Sequence, residues 1–406
     1  MEDRSEAGVG WVAEDVRLLA YSVTADRIRA VELGPERTVE HDLGSSTAVL
    51  DRCDGLMEEL RSPAALSQAS PPQLCRFAKD WGRSLLPPQW LEQPPAVGIV
   101  VPNWLLHYLP LHVVTVDSGL PLCTASGLTT CSSLTMLLRC LGRSTRSEDP
   151  SAEGLVDVFV PEDAAPAGSH LAVAADALGH ADLEWRQLAA RLLRHAGFDS
   201  VDDEVLELHA FADLVSLALS RRFYEFVAIV AHGITDGLDP LASGMLLRQN
   251  PHGMALRRIS VLGSTQDEDG IPYQLQGLPV TDLRAAVTPR FDVDMLTAGQ
   301  LELTAHLECQ LVALLGCSTG APRLLAGDQP LSLAEMVLRI GAAAVVAPMW
   351  DVTMTAVEAW MTAYLSAWRR DLRSRAEAAR LASDALHRSG APLQDVGCLT
   401  LRGAWT

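Results

Sequence analysis

The sequence has no apolar run of the roughly 18 residues that a helix needs to cross a bilayer, so no membrane span is expected. It has no Cys-x-x-Cys pair and no cysteine and histidine pairs at zinc-finger spacing, which excludes the usual structural zinc sites. No metal or organic cofactor is implied. Basic residues are in deficit: 32 Lys and Arg stand against 51 Asp and Glu, for a formal charge of −19. Binding to phosphate backbones needs a basic face, so a nucleic-acid partner is excluded, whereas a basic protein or peptide fits. The first residues, MEDRSEAGVGW, lack the basic and apolar regions of a secretory signal. A cytoplasmic, reducing setting is therefore expected, and it suits a catalytic thiol. Aromatics are sparse at 5%, and no internal repeat is visible.

The eight cysteines (53, 75, 123, 131, 140, 309, 317 and 398) mostly sit beside apolar residues and read as buried free thiols. At 48% hydrophobic and 20% charged, the 406 residues have the composition of a globular protein with a large core. Arg17–Val23 and Ile28–Leu33 read as a hairpin across Thr24-Ala25-Asp26, followed by helical stretches at Ser46–Leu60 and Gln73–Leu85. VGIVV at Val97–Val101 is an apolar run of strand length, typical of a strand covered on both faces. Gly142–Gly154 reads as a linker.

Beyond it, Leu155–Val160, Phe226–Ala231, Leu311–Leu315 and Ala343–Pro348 read as strands. Leu183–His195, Ala210–Arg221, Ser332–Ile340, Thr355–Arg369 and Arg373–His387 read as helices. Alternation of this kind implies an α/β fold, a mainly parallel sheet flanked by helices. The interval Gln249–Phe291 lacks clean periodicity and is long for a connection, as functional or disordered loops are.

Two strand ends carry chemistry. Phe226–Ala231 runs into His232-Gly233, and Leu311–Leu315 runs into Gly316-Cys317-Ser318-Thr319-Gly320. Ligands of open α/β sheets bind beyond the carboxyl ends of the strands, so the two ends meet if the strands are neighbours. A cysteine is little ionised at neutral pH, and an adjacent imidazole would activate it and later protonate the leaving amine. Gly233 lets the backbone approach the substrate, and its N–H with that of Cys317 would form an oxyanion hole.

The runs LVALLGCSTG, LSLAEMVLRIGAAAVVAPMWDVT and VAIVAHGITDGLDPLASGMLL resemble separases and the related bacterial CHAT peptidases of the caspase-like clan. MLTAGQLEL, ahead of the cysteine strand, resembles the same families, VGIVVPNWLLHYLPLHVV extends the likeness weakly toward the N-terminus, and the caspase signature Q-A-C-x-G is absent. The resemblance implies a caspase-like sandwich with a degenerate N-terminal half, residues 1–150, and an active C-terminal half, residues 151–406. It implies catalysis by His232 and Cys317 with Gly233 at the oxyanion. It also implies that Asp351, beside Trp350 and Ser318, binds a P1 arginine, the residue just before the cleaved bond. Such a carboxylate would pair bidentately with guanidinium. A protein substrate, a separate activator or sensor protein, and a role in antiviral defence or regulated cell death follow from the same likeness.

Other readings stand beside these. Asp351 would instead cap the helix beginning near Thr353. Gly316-Cys317-Ser318-Thr319-Gly320 also spells the G-x-S-x-G elbow of esterases, with Ser318 attacking, but that elbow needs a helix directly after it. A catalytically silent scaffold is the third. His107 and His112 read as core residues, Trp360 and Trp368 as packing, and Glu377 with Arg380 as a surface pair. Asp236 and Asp239 would orient the imidazole or cap a turn. Asp267-Glu268-Asp269 is a candidate calcium cluster or a solvated loop.

Overall fold

The structure is a computed structural model that describes residues 15–35, 37–47, 49, 55–56, 59–60, 70–144, 223–230, 232–236, 241, 243–249, 273–275, 293–304, 306–325 and 329–406. The strands are β1 (Val16–Val23), β2 (Arg27–Leu33), β3 (Thr38–Ser45), β4 (Val97–Val101), β5 (Gly127–Thr130), β6 (Phe223–Val230), β7 (His232–Asp236) and β8 (Gly244–Gln249). They continue with β9 (Tyr273–Leu275), β10 (Val293–Thr297), β11 (Glu308–Leu315), β12 (Arg323–Leu325), β13 (Gln329–Leu331), β14 (Ala342–Ala347) and β15 (Thr400–Gly403). The helices used below are α1 (Pro72–Arg76), α2 (Leu134–Ser144), α3 (Leu333–Ile340), α4 (Met354–Leu365) and α5 (Arg375–Arg388).

Nine strands form one sheet in the order β3-β2-β1-β4-β5-β15-β14-β11-β6. The pairings β1–β4, β4–β5, β5–β15, β11–β14 and β6–β11 are parallel, and β1–β2, β2–β3 and β14–β15 are antiparallel. The expected hairpin is present, and the expected apolar strands at Val97–Val101, Leu311–Leu315 and Ala343–Pro348 and most of that at Phe226–Ala231 appear as β4, β11, β14 and β6. Their composition explains their place, since β14 (AAAVVA) is buried at every residue and β11 at all but its first. A strand covered on both faces has no polar side to show. A second sheet, antiparallel in the order β10-β8-β7-β9, begins close to β6 in the chain, since β6 ends at Val230 and β7 starts at His232.

Helix ends follow local chemistry. Ser332, Thr353 and Ser374 each accept a hydrogen bond from the backbone N–H three residues on and so cap α3, α4 and α5. The cap of α4 is thus Thr353, which overturns the reading of Asp351 as that cap. Gly341 ends α3 at φ 144°, where a Cβ would lie 1.6 Å from the carbonyl oxygen of Leu307. Within the core, Trp360 stacks on Tyr364 at 5.0 Å and donates to Ser383 at 3.0 Å, which locks α4 to α5.

The expected helix Gln73–Leu85 is α1 continued as a π turn over Phe77–Trp81 and a 3-10 turn over Gly82–Leu85. The expected elements between 151 and 222, the domain boundary at 150 and the acidic cluster at 267–269 lie outside the described residues, as does most of Ser46–Leu60. The interval Gln249–Phe291 does contain one described strand, β9, which pairs with β7.

Candidate active site

Three neighbouring parallel strands end at the same edge of the large sheet. Leu315 of β11 is paired with Val230 of β6, so His232 and Cys317 each lie two residues beyond partners in register. Strands in a sheet are about 4.8 Å apart, which sets the spacing of the two chain positions. Ala313 is paired with Val346 of β14, whose continuation carries Trp350 and Asp351 past the same edge. The sequence spreads these residues over more than a hundred positions, and the strand order gathers them.

The closest approach is between backbones. A Cβ on Gly233 would lie 2.0 Å from the carbonyl oxygen of Cys317 and 3.1 Å from its nitrogen. Only glycine allows β7 to sit this close to the cysteine loop. On the other side, the loop runs along the segment after β14. Gly320 N–H donates to Pro348 O at 2.8 Å and Ser318 N–H to Trp350 O at 3.2 Å. The Cys317 thiol donates to Val352 O at 3.9 Å, and Ser318 Oγ donates to Asp351 Oδ1 at 3.2 Å. Ser318 holds this turn at φ 53°, a left-handed conformation that costs a non-glycine residue about 1 kcal/mol or more.

The cysteine loop brings together His232 (by its chain position), Gly233, Cys317, Ser318 and Asp351. Cys317 is half-buried, and burial first, then the Asp351 carboxylate, push its thiol up to about 12. The thiol is therefore neutral in this arrangement. Trp350 is 2% exposed, stacks on His112 at 5.5 Å and donates its indole N–H to Gln394 O at 3.2 Å. Its ring thus packs into the core and shows almost no surface to a ligand. His112 is a core residue as expected, donating to Gly397 O at 3.0 Å, and burial holds it neutral.

The esterase reading fails here. Ser318 is buried, and the turn after it leads into the paired strands β12 and β13, with no helix among the described residues until α3 at Leu333. One supporting residue escaped the sequence reading. Arg402 of β15 is buried and donates through Nη2 to Gly320 O at 2.5 Å, bracing the cysteine loop from beneath. A lone cation in the apolar run LTLRGAW was its only sequence signal. Among the described residues, no group of three or more His, Cys, Asp or Glu is placed to hold a metal ion, and no helix is long and apolar enough to cross a membrane.

A family model described as "CHAT domain" matches residues 83–394. A comparison with curated proteins finds no match. Among solved structures, the separase–securin complex of Saccharomyces cerevisiae is similar at a TM-score of 0.52 and 8% identity, over 96% of this chain and 30% of that one. The Arg-specific cysteine proteinase gingipain R gives 0.43 and 9%, over 88% of this chain and 74% of that one. The pro- and mature domains of RgpB from Porphyromonas gingivalis give 0.42 and 10%, over 88% and 76%. The likeness to separase shows the caspase-like fold, and this chain spans under a third of that protein's length.

Proposed function

Because the chain belongs to the CHAT-domain family, we propose that it is a cysteine endopeptidase that cleaves a protein substrate after arginine. Cys317 is the nucleophile and His232 its general base. The proton of Sγ passes to the imidazole, Sγ bonds to the scissile carbonyl carbon, and the carbonyl oxygen takes the negative charge. The backbone N–H groups of Cys317 and Gly233 receive that oxyanion. The imidazolium then protonates the leaving amine as the C–N bond breaks, and water, deprotonated by His232, hydrolyses the thioester. Asp351 holds the P1 guanidinium.

The observation that supports this reading best is the register of β6 and β11, which sets His232 and Cys317 two residues beyond paired positions, with Gly233 against Cys317. By likeness to separase, whose solved structure is a complex with securin, the enzyme is governed by a separate protein. Its setting is the cytoplasm, in bacterial antiviral defence or regulated cell death.

A positional-scanning peptide library incubated with the purified chain tests the proposal. Cleavage after arginine is expected, together with its loss in Cys317→Ala at unchanged thermal stability. Cleavage that survives in Cys317→Ala would refute the nucleophile. The neutral thiol favours one second reading, a silent scaffold that binds protein partners. That reading gains if no peptide and no electrophilic arginine peptide reacts at Cys317 with or without candidate activators.

A further inference from the structure

We propose that Asp351 couples the charge in the P1 pocket to ionisation of Cys317, so that the cation of the correct substrate arms the nucleophile. This rests on the reading of Asp351 as the arginine-binding carboxylate and adds to it a second consequence of the same group.

The geometry behind it is the parallel run of two segments. Cys317 lies against Val352, Ser318 against Trp350 and Asp351, and Gly320 against Pro348. Thiol and carboxylate therefore share one wall, and Asp351 is only 5% exposed. Two like charges this close and this poorly solvated oppose each other, so an anionic Asp351 disfavours a thiolate beside it. The thiol's upward displacement, caused by burial and then by Asp351, has the sign this requires. Two other titratable groups among the described residues stand near the loop. Arg402, beneath the loop, donates to the Gly320 carbonyl and faces the Glu335 carboxyl, and His112, behind Trp350, is held neutral by burial. On the remaining side stands the backbone of Gly233, one residue after His232.

A guanidinium seated on Asp351 cancels that carboxylate's field. The Sγ proton then passes to the base at lower cost, and no other bond changes. Peptides with neutral P1 residues leave the repulsion in place. Arginine preference would accordingly enter kcat as well as KM, because the cation favours the reacting form of the enzyme and not binding alone.

The test is the rate of alkylation of Cys317 by iodoacetamide, a neutral reagent, followed across pH by mass spectrometry of the peptide bearing that residue. Cys75 is the other described cysteine that is not fully buried, so the site must be resolved. Methylguanidinium, the cationic group of an arginine side chain on its own, is the probe, and methylurea is its uncharged counterpart. Methylguanidinium is expected to lower the midpoint of the wild-type profile and speed alkylation at neutral pH about tenfold, one pKa unit's worth of thiolate. Methylurea should do nothing. Asp351→Asn should have the lowered midpoint without any probe and should ignore methylguanidinium. A wild-type profile that methylguanidinium leaves in place overturns the coupling, whatever the variant does. So does an Asp351→Asn midpoint at or above the wild-type one. Cleavage after arginine with an unmoved thiol sinks the coupling alone. A thiol that responds to the cation in a protein that cleaves after another residue sinks the substrate reading alone.

Discussion

Replacing Gly233 by alanine is the sharpest probe of the arrangement on which the peptidase reading depends. The added methyl would arrive 2.0 Å from the carbonyl oxygen of Cys317, 3.0 Å from its carbonyl carbon and 3.1 Å from its nitrogen. All three are backbone atoms, so no rotamer change relieves the clash. Restoring ordinary contact means opening the gap between β7 and the cysteine loop by more than about 1 Å. Overpacking of this kind costs about 1–3 kcal/mol of stability. A displacement of about 1 Å between reacting groups costs on the order of 100-fold in rate. The assay pairs kcat/KM on an arginine peptide with thermal unfolding of the same preparation. Gly142→Ala is the control, since a Cβ there meets nothing within 4 Å. That position lies within α2, where alanine is favoured over glycine by roughly 0.5–1 kcal/mol. The control should keep its activity and unfold no earlier than the wild type. Wild-type kinetics and unfolding in Gly233→Ala would show that the His-Gly segment does not abut Cys317, and the dyad would lose its geometric support.

Burial holds His107 down to about 3 and His112 to about 4. Both charge near 6.5 once unfolded, so the unfolded chain binds the extra protons. Their contribution to stability, full above about 6.5, is lost as pH falls toward 4, by up to about 1.4 kcal/mol per pH unit for each. Urea midpoints against pH should show this slope, and a shallower one in His112→Gln; a flat wild-type profile contradicts it. Glu335 behaves oppositely, because burial raises its carboxyl, with Ser132 and Arg402 only partly offsetting. The folded state there holds its proton longer, so stability declines as pH rises from the ordinary glutamate range through the raised one. Glu335→Gln should remove that decline, and an unchanged profile would refute it. Arg402→Met should destabilise the fold by about 3 kcal/mol, since it leaves the Gly320 carbonyl and buried Glu335 without their cation. Chemical denaturation reads this directly, and a change under about 1 kcal/mol would mean the arginine is not a brace.

What the sequence disclosed followed from how each element is buried. VGIVV, FVAIVA, LVALL and AAVVAP are legible because strands covered on both faces cannot carry polar residues. The helix starts at Ser332 and Ser374 are legible because a hydroxyl three residues ahead of a glutamate is a cap before any packing exists. Other elements take their form from partners remote in sequence. HGITD looks like a loop after a strand, with a glycine and an aspartate, and becomes β7 only through pairing with β8 and β9. TLRG contains a charge and a glycine and becomes β15 because β14 and β5 bond to its two edges. Asp351 and Thr353 are both good caps by residue type, and the extended backbone at Thr353 decides between them. The candidate dyad was legible as two strand ends, but their adjacency was not, since the neighbours of β11 are fixed by the sheet order alone.

That sheet order also gives the strands β1–β5 a physical task. β15 stands between β5 and β14, antiparallel to β14 and parallel to β5, and without β5 it would present an open edge. Thr129 of β5 donates to Gly403 O at 3.0 Å, fastening the seam. From α2, Arg143 donates to the carbonyl of Leu338 near the C-terminal end of α3 and to that of Ala342 at the start of β14. Ser132 donates to Glu335 in the first turn of the same helix. These contacts fix α3 and β14, and β14 aims Asp351, while Arg402 of the seam strand holds the loop of Cys317. Damage at the seam should therefore reach the cysteine loop before it reaches β1–β3. In hydrogen exchange, Arg402→Met should lose protection first in residues 316–320, with the β1–β2 hairpin unchanged. Equal loss in both places would mean that the seam has no particular part in supporting the cysteine loop.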